Sequence, residues 1–261
     1  MNKWFWLCSL ALVLGVGCAA NAYGPVSSID SAKVYQYVWQ DDPDSTLTVV
    51  NNYPSYISFR DETLDGDGQG GEYANRHVWR FSADGGATPF EFGNTTYFEY
   101  FVDVKVQGDP VAGKHHEAGI FFDYLGWDGV LRVNTNGEIA AFGYVLPFYA
   151  FPDPYIPGDW IRIGVKYFKD PDDGKNKIQY YAGSAHSPAL VFGNLEQGIL
   201  DGTTIGGYGQ FQIAPGVQSN FGMAEWGNVQ IVPVPEPAFL QPASLMALAA
   251  GVGGLTLRRR R

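Results

Sequence analysis

Asp159-Trp160-Ile161-Arg162-Ile163-Gly164-Val165-Lys166-Tyr167 runs into the polar turn Asp170-Pro171-Asp172-Asp173-Gly174, and Lys177-Ile178-Gln179-Tyr180-Tyr181-Ala182-Gly183 follows. Ile161, Ile163, Val165 and Tyr167 alternate with Arg162, Gly164 and Lys166. Successive side chains of a strand point to opposite faces, so this spacing predicts a half-buried strand over 160–168, a turn, and a second strand over 177–182. Residues 97–106 repeat the pattern. Phe98, Tyr100, Val102, Val104 and Val106 share one face, and Tyr97, Glu99, Phe101, Asp103 and Lys105 share the other.

Working outward, further strands are expected over 34–39, 47–51, 56–60, 77–82, 118–124, 129–134, 138–144, 177–182, 208–213 and 223–232. Asn136-Gly137 is placed to close a hairpin between 129–134 and 138–144. No long amphipathic helix and no internal repeat interrupts them. Thirty-three glycines beside 15% aromatic residues suit tight turns and large side chains between two sheets, so the expected fold is an all-β, two-sheet sandwich. The strand–turn–strand segment above, with Glu117-Ala118-Gly119-Ile120-Phe121-Phe122 upstream, resembles concanavalin A-like jelly rolls (laminin G, legume lectin and glucanase domains). That resemblance implies a jelly roll whose adjoining strand lines a concave face. It leaves lectin, hydrolase, lyase and adhesion roles open.

Both ends carry addresses. Lys3, the apolar stretch 4–16 and Ala20-Asn21-Ala22 read as a signal peptide over 1–22, with Tyr23 as the mature start; lipidation at Cys18 is the rival reading. At the other end, Val234-Pro235-Glu236-Pro237 precedes the uncharged stretch 238–257 and then Arg258-Arg259-Arg260-Arg261. About 20 apolar residues suffice to cross a bilayer once, and the arginines would hold their end on the cytoplasmic side. Residues 234–261 resemble the PEP-CTERM sorting tail of Gram-negative bacteria. The resemblance implies recognition by a membrane-embedded exosortase, removal of the tail, and release or attachment at the cell surface, often with exopolysaccharide. Gln241 and Pro242 interrupt the start of the span, and an ordinary single-pass anchor is the competing reading. The chain is thus expected to be exported, held briefly in the inner membrane, with one domain over 23–233.

Composition narrows the partners. Cys8 and Cys18, the only cysteines, both lie in the signal, so the domain has no disulfide, thiolate metal site or cysteine nucleophile. Without Lys3, the terminal arginines and Glu236, 12 basic and 26 acidic residues remain, a net charge of about −14. Such a charge disfavours nucleic acid and anionic lipid, and favours divalent cations or neutral glycans.

Candidate sites are few. Retaining glucanases need two carboxyl groups about 5 Å apart. Glu99 and Asp103 share a strand face but lie about 13 Å apart along it. His115-His116-Glu117 could gather only in a loop, and His77 reads as a strand residue facing water or a neighbour. No catalytic residue is assigned. Asp65, Asp67, Gln69 and Glu72 place oxygens at alternate positions of a glycine loop that could wrap Ca²⁺, although Arg76 stands where an EF-hand loop needs a bidentate Glu. Trp127, Phe148, Tyr149, Phe151, Tyr155 and Trp160, several of them among prolines, form a candidate glycan-stacking set; closing one end of the core is the alternative. Asn94-Thr95-Thr96 matches a glycosylation sequon. The function expected from these residues is a non-enzymatic, structural or glycan-binding surface protein, with an extracellular polysaccharide hydrolase or lyase as the alternative.

Overall fold

The computed structural model describes residues 23–64, 74–108, 114–192, 198–212 and 220–236. Among these described residues, everything regular after a single 3₁₀ turn, Val26–Ser28, is strand. In chain order these are β1 (Ser31–Gln40), β2 (Thr46–Asn52), β3 (Tyr56–Leu64), β4 (Ala74–Ser82), β5 (Glu91–Phe92), β6 (Phe98–Gly108), β7 (His116–Tyr124) and β8 (Trp127–Asn134). They continue as β9 (Ile139–Gly143), β10 (Tyr149–Ala150), β11 (Ile161–Lys169), β12 (Asn176–Ala182), β13 (Ala185–His186), β14 (Leu190–Val191), β15 (Thr203–Gln212) and β16 (Asn220–Pro233).

They form two antiparallel sheets. The first runs β1-β4-β15-β7-β8-β9-β10, with β5 also on β15; the second runs β13-β12-β11-β6-β16-β3-β2, with β14 also on β12. The last two long strands, β15 and β16, each insert at the middle of a sheet, so neither sheet is complete until the chain is nearly finished.

Alternation decides what the sandwich buries. Phe98, Tyr100, Val102, Val104 and Val106 are all fully buried, as are Ile163, Val165 and Tyr167 on β11. Burying each such side chain stabilises the fold by about 1.5–3 kcal/mol. Trp79 of the first sheet and Trp226 of the second meet edge to face, with ring centroids 6.2 Å apart. Gly207 makes room for them, since a Cβ there would strike both indole nitrogens. The hairpin at Asn136-Gly137 forms as expected, with Gly137 at φ 94° and its N–H donating to the Asn134 carbonyl.

The structure corrects several expectations. β5, β10, β13 and β14 are two residues each, too short for any period to show in sequence. His77 is a strand residue as expected, and of the two settings offered for it the structure gives the neighbour rather than water. It lies fully buried between the sheets, where Nδ1 accepts the Tyr37 N–H at 3.0 Å and Nε2 sits 3.2 Å from Asp61 Oδ2. Asn75 Nδ2 donates to the same Asp61 oxygen at 2.9 Å, so this polar group ties β4 to β3 across the core. Among the described residues no helix is long and apolar enough to cross a membrane. The expected signal peptide, the span 238–257, Pro237 and the arginines Arg258, Arg259, Arg260 and Arg261 lie outside the described residues.

Candidate functional site on the outer face of the first sheet

Four neighbouring strands send alternate side chains away from the core on the first sheet. In register across β4, β15, β7 and β8, one row is Arg76, Gln210, Glu117 and Asn134, and the next is Val78, Tyr208, Gly119 and Arg132. Val78, Phe121, Val130 and Tyr208 make a small apolar floor, with Tyr35 and Phe142 packed against it. Gly119 sits between Tyr208 and Arg132 in this row, where the β8 backbone comes so close that a Cβ would strike the Leu131 carbonyl.

Polar groups lie over that floor. The Tyr208 hydroxyl donates to Glu117 Oε2 at 3.0 Å, and Arg132 clamps the other Glu117 oxygen while reaching Glu138 at 2.7 Å. Arg76 donates through Nε to Gln210 at 2.8 Å and through Nη1 to Asp128 at 2.7 Å. Arg80 pairs with Asp123 at 2.6 Å. The guanidinium of Arg76 also lies 5.8 Å from the Tyr208 ring and 5.5 Å from the Trp39 ring, and that of Arg132 lies 4.5 Å from Phe142. Three cations are therefore held against aromatic faces by carboxylates of the same chain.

This setting fixes protonation. Tyr208 is 1% exposed, and burial, reinforced by the charge of Glu117, holds its pKa well above the usual phenol value, so it carries its proton at neutral pH. Burial opposes the charge on Arg132, yet the charge of Glu117 and the hydrogen bonds to Glu117 and Glu138 outweigh it and keep the guanidinium cationic. The face thus offers a protonated hydroxyl, a carboxylate bonded to it, and guanidiniums on either side.

The residues singled out from sequence are scattered by comparison. Trp127 begins β8 and is exposed, while Phe148 is exposed just ahead of β10, where Tyr149 lies half-buried. Phe151 and Tyr155 are buried in the core, where the Tyr155 hydroxyl meets the Val106 and Asp159 backbone, so neither presents a ring to solvent. Trp160 lies just ahead of β11, against Lys105 and Gly227 of the other sheet. Glu99 and Asp103 project outward there and pair with Lys166 and Arg162. His116 turns into the core against Phe211 whereas Glu117 turns out, so the His115-His116-Glu117 run is split by the strand. Asp65, Asp67, Gln69 and Glu72 lie outside the described residues, among which no group of three or more His, Cys, Asp or Glu gathers for a metal. Val234, Pro235 and Glu236 follow directly on β16, Pro235 and Glu236 exposed, with the Val234 N–H donating to Tyr97.

Arg76, Arg80, Arg132, Tyr208 and Gln210 carry no functional role in the sequence reading, and Glu117 enters it only within the His115-His116-Glu117 run. The signal in sequence is faint: Arg76 and Arg80 recur at period two on β4 with Val78 between them, and Tyr208, Gln210 and Gln212 at period two on β15. What sequence could not supply was their pairing across four strands.

No family model matches the chain, and no curated protein does. Among solved structures, the alginate lyase AlgAT5 of polysaccharide lyase family 7 superposes with a TM-score of 0.53 at 12% identity, covering 78% of this chain and 95% of its own. An alginate lyase from Corynebacterium sp. superposes at 0.51 with 13% identity, covering 81% and 99%. Alginate lyase A1-II′ gives 0.51 at 12% identity, covering 82% and 100%. These similar folds belong to enzymes, which overturns the expectation of a non-catalytic structural or lectin module and favours the polysaccharide-degrading alternative. A search for paired carboxylates along one strand misses groups that only pairing across four strands brings together. At such identity the likeness shows one thing, the fold: a two-sheet jelly roll of the kind these lyases share.

Proposed function

We propose that this chain is an exported polysaccharide lyase acting at the outer face of the first sheet, on a uronate-containing glycan. The observation that carries this reading is the Tyr208–Glu117 hydrogen bond flanked by Arg76 and Arg132, on the fold shared with alginate lyases. A lyase removes the C5 proton of a uronate, breaks the C4–O bond and forms a C4–C5 double bond. The proton is acidic enough only when the adjacent carboxylate is neutralised, the task given to Arg76 with Gln210. Glu117 takes the C5 proton. Tyr208, protonated at neutral pH, gives its proton to the departing glycosidic oxygen and regains one from Glu117, so the cycle closes without a cofactor.

Tyr208 is covered in the resting chain, and Arg76 is held by Asp128. A substrate carboxylate would compete with Asp128 for Arg76, whose guanidinium lies beside the Tyr208 ring. The signal-like N-terminus supports export across the inner membrane, and the PEP-CTERM-like end supports tail removal by an exosortase, with the lyase released or held at the surface near exopolysaccharide.

The test is incubation of residues 23–233 with a panel of polyuronates (alginate, polygalacturonate, glucuronans), following the ultraviolet absorbance of unsaturated products. Absorbance rising with at least one polymer is the expected result. Blanks across the panel, or new reducing ends without unsaturation, would retire the lyase reading.

A further inference from the structure

His77 is a buried titratable group that the proposed reaction does not use, and it lies directly behind one that it does. Arg76 and His77 are neighbours on β4, where alternation sends Arg76 to the outer face and His77, fully buried, into the core. Opposite them β1 is bulged. Tyr35 pairs with Val78 and Trp39 with Arg76, so residues 36–38 stand opposite His77 alone. Tyr37, in the middle of the bulge, has a φ of 48°. A tyrosine holds that left-handed conformation where its surroundings fix it.

His77 supplies that fixing. The Tyr37 N–H donates to His77 Nδ1 at 3.0 Å, and the two rings meet edge to face with centroids 4.8 Å apart. An Nδ1 that accepts is bare, so the ring proton sits on Nε2 and faces Asp61 Oδ2 at 3.2 Å. Asn75 completes the anchor: its Nδ2 donates to the same Asp61 oxygen at 2.9 Å, and its Oδ1 accepts the Asp41 and Asp42 N–H groups, each at 3.1 Å, just past the end of β1. The bulge is thus pinned at its centre by His77 and beyond its end by Asn75. Two residues after Tyr37 comes Trp39, whose ring lies 5.5 Å from the Arg76 guanidinium.

We infer that His77 is a positioning residue: by accepting the Tyr37 N–H it sets the β1 bulge so that Trp39 packs against Arg76, the guanidinium proposed to take a substrate carboxylate. His77 touches neither substrate nor reacting atoms and acts through Trp39. The role of Arg76 rests on the lyase reading; the hold of His77 on the bulge does not.

Two substitutions separate the two ring nitrogens. His77→Asn places an amide oxygen where Nδ1 was, keeping the Tyr37 bond and giving up Asp61. His77→Gln places an amide N–H where Nε2 was, keeping Asp61 and giving up Tyr37. On the full chain, the measurements are affinity for alginate and polygalacturonate oligomers, melting temperature, and hydrogen exchange of the amides of residues 36–39. His77→Gln should weaken binding about threefold, the scale of one exposed cation–aromatic contact, and speed that exchange. His77→Asn should melt lower yet keep wild-type affinity and exchange. Trp39→Ala, at a residue 40% exposed, should weaken binding as much as His77→Gln, and the double variant no further. Equal binding losses in the two His77 variants, or a further loss in the double variant, would reduce His77 to a structural role. A folded Trp39→Ala with wild-type affinity overturns the inference even if the His77 variants do not fold. A wild type that binds neither oligomer retires the proposed substrate, and exchange then decides: faster in His77→Gln than in His77→Asn upholds the hold on the bulge, and equal rates overturn it.

Discussion

The two outer faces of this sandwich come from the same alternation and have opposite character. On the second sheet, Lys166–Glu99 and Arg162–Asp103 join neighbouring strands at 2.8 and 3.0 Å, with a quarter to a third of each side chain in water. On the first sheet, Glu117 is 4% exposed and Tyr208 1%, beneath guanidiniums lying on aromatic rings. The first arrangement is a solvated surface that contributes little, and the second is a desolvated polar layer in which each partner is needed by the others. Ion pairs read from sequence therefore say little about a site until their burial is known.

The largest expected effect tests whether only one face is chemical. Tyr208→Phe should lower the rate of unsaturated-product formation by about 100-fold or more, the usual scale for losing a proton donor. Glu99→Gln on the second sheet should leave it within twofold. Equal losses in the two variants would mean that the faces differ in burial but not in function.

Next comes stability. Arg132→Ala strands Glu117 in a nearly dry site and should destabilise the fold by about 3 kcal/mol, whereas Arg162→Ala should cost about 0–1 kcal/mol. Urea unfolding of the two variants measures the contrast directly, and similar midpoints would erase it.

Alkaline pH probes the same difference. Burial holds Tyr208, Tyr100 and Tyr180 well above the phenol value of 10.0, and Tyr53 is pushed up to about 12. In the unfolded chain these phenols lose their protons first, so stability is intact below pH about 10 and falls as pH rises further, by about 1.4 kcal/mol per unit for each fully buried tyrosine. Melting temperatures between pH 8 and pH 11 should show that decline. It should be smaller in Tyr208→Phe and nearly unchanged in Tyr181→Phe, whose ring lies half-buried on the second sheet.

The smallest effect concerns Asp128. Its removal in Asp128→Asn frees Arg76 for a substrate carboxylate, so binding of a polyuronate should strengthen severalfold, about 1 kcal/mol or less, and depend more steeply on salt. Unchanged affinity would place Asp128 outside the competition.

Much of the architecture was legible beforehand. The long strands β6, β11 and β12 announce themselves by period two, and their apolar sides are the sides that pack. The two-residue strands were invisible, since two residues have no period. Spacing along the strand argues against Glu99 and Asp103 as a catalytic pair, and in the structure they pair separately with Lys166 and Arg162, but spacing along one strand says nothing of groups that meet across strands. The groups that do meet, Arg76, Glu117, Arg132 and Tyr208, stand up to 132 residues apart in the chain and touch only because β15 inserts between β4 and β7.

Local order along the chain settled which side of each strand meets oil and which meets water, because a strand's side chains alternate whatever its neighbours are. Only the tertiary structure decided which outward side is buried under its own arginines, because strand order and register are set by the packing of two whole sheets against each other. The same hydroxyl, carboxylate and guanidiniums spread over an open surface would be ordinary solvated residues.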